Sequence, residues 1–148
     1  MKATILFVAI VFVFSGCVHH NLQNYAAIDL SQKTVTVPPG AKGLRGKLKQ
    51  VLAEEGWRLS IDRGPSVVEG DLGSKTKLES YDTFNTRYRL RMASRQFDVC
   101  VYNFTPAYIY DISFIDNKTG SEVFTIEGKG CEGGVVDKFR EAISGVSR

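Results

Sequence analysis

The sequence predicts a single α+β domain, a mainly antiparallel sheet with two helices packed on one face, in the order β-α-β-β-β-β-β-α. Two segments, residues 44–52 and 135–143, repeat apolar residues at helical spacing. The segments around them alternate polar and apolar residues, the period of a half-buried strand. Asp116-Asn117-Lys118-Thr119-Gly120 joins two such runs with the chemistry of a type I turn, Gly120 supplying positive φ.

Thr34-Val35-Thr36-Val37 is a short first strand, stopped by Pro38-Pro39-Gly40. Leu44, Leu48, Val51 and Leu52 define one face of a helix that ends at Gly56, a residue suited to a left-handed cap. Gly43 and Gly46 weaken its first turn by up to ~1 kcal/mol each, so a late start is expected. Trp57 to Asp62 alternate as a strand, closed by Arg63-Gly64-Pro65. Residues 66–86 read as a long loop or an unrecognised strand.

A turn at residues 93–96 would pair Met92 with Phe97, Leu90 with Val99 and Tyr88 with Val101 on the inner face. It would set Arg91 against Asp98, Arg89 against Cys100 and Arg87 against Tyr102 on the outer face. Residues 108–115 and 122–127 form the hairpin around Asp116 to Gly120. Gly128, Gly130, Gly133 and Gly134 then loosen the connection to a last helix, whose apolar face carries Val135, Val136, Phe139, Ala142 and Ile143 and which ends at Gly145.

A chain of 148 residues with 11% aromatic and 24% charged residues suits one folded domain. A net charge of +3 makes no demand for nucleic acid.

Lys2 precedes Ala3 to Phe14, an apolar run broken only by Thr4, and Ser15-Gly16-Cys17 follows. A basic residue, a short apolar run and small residues describe a secretory signal, too short to span a bilayer. Phe14-Ser15-Gly16-Cys17 resembles the lipobox of bacterial lipoprotein precursors, with Phe14 where that family usually has Leu. The resemblance implies cleavage before Cys17 and acylation of its sulfur. It divides the chain into a signal peptide (1–16), a lipidated tether (17–33) and a periplasmic α+β domain (34–148). Val18, where an Asp would favour the inner membrane, implies the outer membrane. Residues 35–62, with Val35, Val37, Leu44, Leu48, Leu52 and Gly56-Trp57, also resemble the strand-helix-strand opening of periplasmic modules of secretin, pilus and conjugation machines. No functional residue is carried over from that likeness.

In an exported domain the two remaining cysteines, Cys100 and Cys131, are expected to pair; a reactive or metal-binding thiol pair is the alternative. His19 and His20 adjoin Cys17 and are read as tether. The domain is therefore expected to hold no histidine, and no His-based triad, metal site or cofactor is assigned.

Arg87, Arg89 and Arg91, with Arg95 in the turn, form a basic stripe on the outer face. Tyr81, Phe84, Tyr88, Tyr102, Phe104, Tyr108 and Tyr110 crowd the same region, with Tyr88 inside and Tyr102 outside. Arg87, Arg89, Arg91 and Tyr102 are the candidate interaction face, since Tyr and Arg dominate protein contacts. The expected function is a non-enzymatic outer-membrane lipoprotein, an accessory or scaffold for an envelope machine with a protein partner and a membrane anchor. The alternative is an inhibitor or immunity lipoprotein that blocks a lytic enzyme such as lysozyme with residues 66–86. A hydrolase would have to rest on Asp111, Glu122 and Glu127.

Overall fold

The computed structural model describes residues 18–64, 66–72, 74–80 and 85–145, at 66–80 the backbone alone. The expected signal peptide 1–16 and Cys17 lie outside the described residues, as do Tyr81 and Phe84. The elements are β1 (His19–Asn24), β2 (Thr34–Val37), α1 (Gly43–Glu54), β3 (Arg58–Ile61), β4 (Ser66–Leu72), β5 (Ser74–Ser80), β6 (Tyr88–Val99), β7 (Pro106–Asp116), β8 (Glu122–Cys131) and α2 (Glu132–Ile143).

Six strands make one sheet in the order β1-β8-β7-β6-β2-β3. Pairing is antiparallel from β1 to β6, and β2 runs parallel to both β6 and β3. The α+β class is the one expected, and both helices lie on the sheet. Leu44, Leu48, Val51 and Leu52 of α1 and Val135, Phe139 and Ile143 of α2 pack onto Val35, Val37, Leu90, Ile112 and Ile126, all buried. At the centre Phe114 stacks between Tyr88 and Phe124, both at 5.1 Å, and meets Trp57 edge-on at 5.5 Å.

The hairpin between β7 and β8 follows its turn chemistry. Gly120 sits at φ +73 and its N–H donates to the Asp116 carbonyl at 2.8 Å, while the Asp116 carboxylate accepts the Lys118 N–H. Gly43 and Gly46 do not delay α1. The Ala41 carbonyl approaches Gly46 so closely that a Cβ there would lie 2.1 Å from its oxygen, so the glycine permits the helix start.

Several further expectations are corrected, and one that was left open is settled. Residues 18–33 are not all tether, because β1 joins the sheet as an edge strand, from His19 opposite Lys129 to Asn24 opposite Phe124. The domain therefore contains histidine. Residues 93–96 form no turn; they continue β6, which pairs with β7, so Leu90 faces Phe114 and Met92 faces Ile112. The glycines after residue 127 do not loosen a connection, since β8 runs through Gly128 and Gly130 and α2 begins directly after Cys131. Within 66–86, β4 and β5 pair antiparallel as a separate two-stranded sheet, the unrecognised strand structure that the length of the loop signalled.

Candidate functional site

The arginines of β6 have different fates. Arg87 donates to Asp116 at 2.6 Å and its guanidinium lies 5.5 Å from the Tyr88 ring centroid. Arg89 donates to Asp62 at 2.8 Å; that hydrogen bond, with a second from the Gly64 N–H, holds the Asp62 carboxyl below its ordinary pKa. Both guanidiniums are thus engaged within the domain. Arg91 and Arg95 are exposed. The expected pairing of Arg91 with Asp98 needed a turn that does not exist; Arg91 stands opposite Ser113, and the Asp98 carboxylate accepts the Val99 N–H instead.

Beyond Arg91 the face of the sheet turned away from the helices is a polar plain. Registered rows run His19, Lys129, Ile109, Arg95, then Asn21, Glu127, Asp111, Ala93, then Gln23, Thr125, Ser113, Arg91. A shallow depression of ≈ 600 Å³ lies over the first two rows. Asp111 and Glu127, candidates for a hydrolytic pair, stand directly opposite one another there, Glu127 accepting from the Asn21 amide at 3.2 Å. Lys129 lies over the Phe97 ring at 4.3 Å. Such a surface offers separated charges of both signs to a partner.

Tyr102 does not join this face. It belongs to the connection between β6 and β7, about 30 Å from Arg89, which lies ten residues from the end of β6 at ~3.3 Å per strand residue. There Cys100 N–H donates to the Thr105 carbonyl and Phe104 N–H to the Cys100 carbonyl, both at 2.8 Å. The Asn103 side-chain oxygen accepts from the N–H and hydroxyl of Thr105. Cys100 is bonded to Cys131, as expected, with Cα atoms 6.0 Å apart. The closed turn displays Val101, Tyr102 and Phe104 at 86%, 77% and 83% exposure, with Phe104 in the left-handed region at φ +55. A side chain of that bulk in that region is uncommon. Val101 and Phe104 were not among the expected interaction residues. The signal for them was an apolar run cut by Asn103 and Thr105-Pro106, turn chemistry directly behind a cysteine.

His20 is the residue whose placement departs most from expectation. Its ring lies half-buried over Gly130 and Gly134; a Cβ at either would come within 2.6 Å and 2.9 Å of ring atoms. Its Nδ1 is hydrogen-bonded to the Tyr110 hydroxyl. Burial pushes the Tyr110 phenol up to about 12, so it stays protonated at neutral pH and can donate to a neutral imidazole. Burial first, then the charges of Lys138 and His19, lowers the His20 pKa below 6.5. A lowered histidine pKa means the unfolded chain binds the proton more readily. Stability is therefore complete above pH 6.5, falls as pH drops through 6.5, and levels off below the folded-state pKa. Urea midpoints between about pH 8 and about pH 5 should show this decline, and His20→Gln should flatten it. An unchanged slope would place the titrating group elsewhere.

No family model matches the chain, and no curated protein matches it. Among solved structures it is similar to PelC from Paraburkholderia phytofirmans, solved as a dodecamer in two crystal forms, one of them of a single-residue variant. Each is 13% identical, over 85% of this chain and 95% or 96% of the other, with a TM-score of 0.48. No residue role is carried over from that likeness. Among the described residues no helix is long and apolar enough to cross a membrane.

Proposed function

We propose that the protein is a lipid-anchored, non-enzymatic component of a bacterial cell envelope, an accessory or scaffold for an assembly, secretion or pilus-type machine. The observation that carries this reading is Phe14-Ser15-Gly16-Cys17 behind a short apolar run. It supplies an export signal and an acylation site, and two or three acyl chains at about 0.8 kcal/mol per buried methylene hold a domain stably on a bilayer. The disulfide between Cys100 and Cys131 supports an oxidising compartment such as the periplasm. Val18 favours the outer membrane. The partner is a protein, met through the open sheet face, where Arg91 and Arg95 are exposed while Arg87 and Arg89 are held by carboxylates.

Intact-mass analysis of the protein purified from envelopes tests the anchor. The expected species begins at Cys17, carries acyl groups and has its other two cysteines oxidised. A full-length, unacylated cytosolic chain with reduced thiols would overturn the reading. Cross-linking in detergent-solubilised envelopes tests the face: Arg91→Glu with Arg95→Glu should remove a specific partner that wild type captures, and an unchanged partner set would remove this face from the proposal.

A further inference from the structure

We propose that the turn at residues 100–105 is a second membrane contact, in which Val101, Tyr102 and Phe104 enter the boundary between headgroups and acyl chains of the bilayer that holds Cys17. The inference rests on the lipid-anchor reading and adds to it a surface and an orientation.

The register of the sheet puts the start of β1, two residues after the anchor in sequence, and the turn at one end of the molecule. β1 starts at His19, opposite Lys129, and β8 ends two residues later at Cys131. Val18 lies against Gly130, where a Cβ would meet its Cγ1 at 3.1 Å. Cys131 is bonded to Cys100, the first residue of the turn. With consecutive Cα atoms ~3.8 Å apart and neighbouring strands ~4.8 Å apart, Val18, the residue after Cys17, enters the fold on the order of 10 Å from that turn.

The chain leaves no slack to separate them. The segment that could have served as a flexible tether is hydrogen-bonded into β1, so only Cys17 and Val18 lie between the acyl groups and the first strand. A domain held this closely keeps its Cys100 end against the bilayer.

That end is built for such a position. Two aromatic residues and two valines (Val99 is 45% exposed) face outward on a turn fixed by the disulfide, two backbone hydrogen bonds and the Asn103 side chain. Tyr favours the interfacial region, its ring apolar and its hydroxyl wet, and Phe and Val favour the hydrocarbon side. Apolar groups in such contacts sink about 5–10 Å below the headgroups. The opposite end, at Lys118 and Thr119, is about 35 Å away along β7 at ~3.4 Å per residue.

The test uses the acylated protein purified from envelopes and reconstituted in vesicles of phosphatidylethanolamine and phosphatidylglycerol, with or without brominated acyl chains. Tyr102→Trp and Phe104→Trp place a fluorophore on the turn, and Lys118→Trp places one at the far end. The native Trp57 is buried in the core and gives a constant background. Blue-shifted emission, and intensity lost to brominated lipid, is expected for Tyr102→Trp and Phe104→Trp but not for Lys118→Trp. If mass analysis finds the acyl groups on Cys17 yet the turn variants are not quenched, the contact proposed here is overturned and the anchor stands. If Cys17 carries no lipid, the anchor reading fails and this inference falls with it.

Discussion

Phe114→Ala should lower the unfolding free energy by about 3–5 kcal/mol, a large part of the ~5–15 kcal/mol that holds a typical domain together. The ring is fully buried, stacked against Tyr88 on one side and Phe124 on the other, nearly parallel to Phe124 at 7°, with the Trp57 edge closing a third side. Phe124 in turn meets Phe139 of α2 at 6.1 Å, so Phe114 sits in the chain of rings that ties the sheet to its helix layer. Truncation removes the transfer energy of a whole ring and leaves a cavity walled by rigid aromatic neighbours that collapse poorly. Urea unfolding of the full chain, followed by circular dichroism, should show the midpoint falling with an unchanged slope. A loss below about 1 kcal/mol would mean the ring cluster relaxes around the gap and is not the centre of the core.

Removing the disulfide by Cys100→Ala with Cys131→Ala should cost about 3–4 kcal/mol in the chain-entropy account. The bridge spans a sequence separation of 31 and joins the end of β6 to the end of β8 across β7, where Ala107 pairs with Cys131. A local effect should accompany the global one. The amides of Cys100 and Phe104, which close the turn by bonding to Thr105 and Cys100, should exchange with solvent faster than the rest of β6. Unfolding of wild type with and without reductant should give the same difference as the double variant. Equal midpoints would show that the β6–β7–β8 ladder fixes this end without help.

Where the inner face of the sheet is aliphatic and aromatic, sequence periodicity located the elements closely. The stripe of α1, the alternation from 108 to 115 and the turn at Gly120 are of this kind. At the Cys100 end the inner face is built differently. Its rows are His20, Gly128, Tyr110, Ser94, and then Gly130, Tyr108, Gln96. Two tyrosines fill the space left by two glycines, and the β6 positions in these rows, Ser94 and Gln96, are polar and exposed. The alternation of β6 therefore fades at Ser94 and Gln96, and the stretch reads as a turn. β1 was hidden for the same reason. In His-His-Asn-Leu-Gln-Asn only Leu22 packs on the core as an aliphatic, while His20 does so through a hydrogen bond and close contact with glycines. The candidate face was legible as composition but not as geometry, because the carboxylates that engage Arg87 and Arg89 come from Asp116 and Asp62, far away in sequence.

The incorporation of β1 into the sheet has a mechanical consequence. A pull on a lipid at Cys17 would enter the fold at Val18 and run along the axis of an edge strand, across which all its ladder hydrogen bonds lie. Tension in that direction loads the six registered pairs from His19 to Asn24 together, in shear, instead of peeling them off in succession. Were Cys17 acylated as proposed, such traction would load β1 in shear, and the force would pass through β8 to the disulfide.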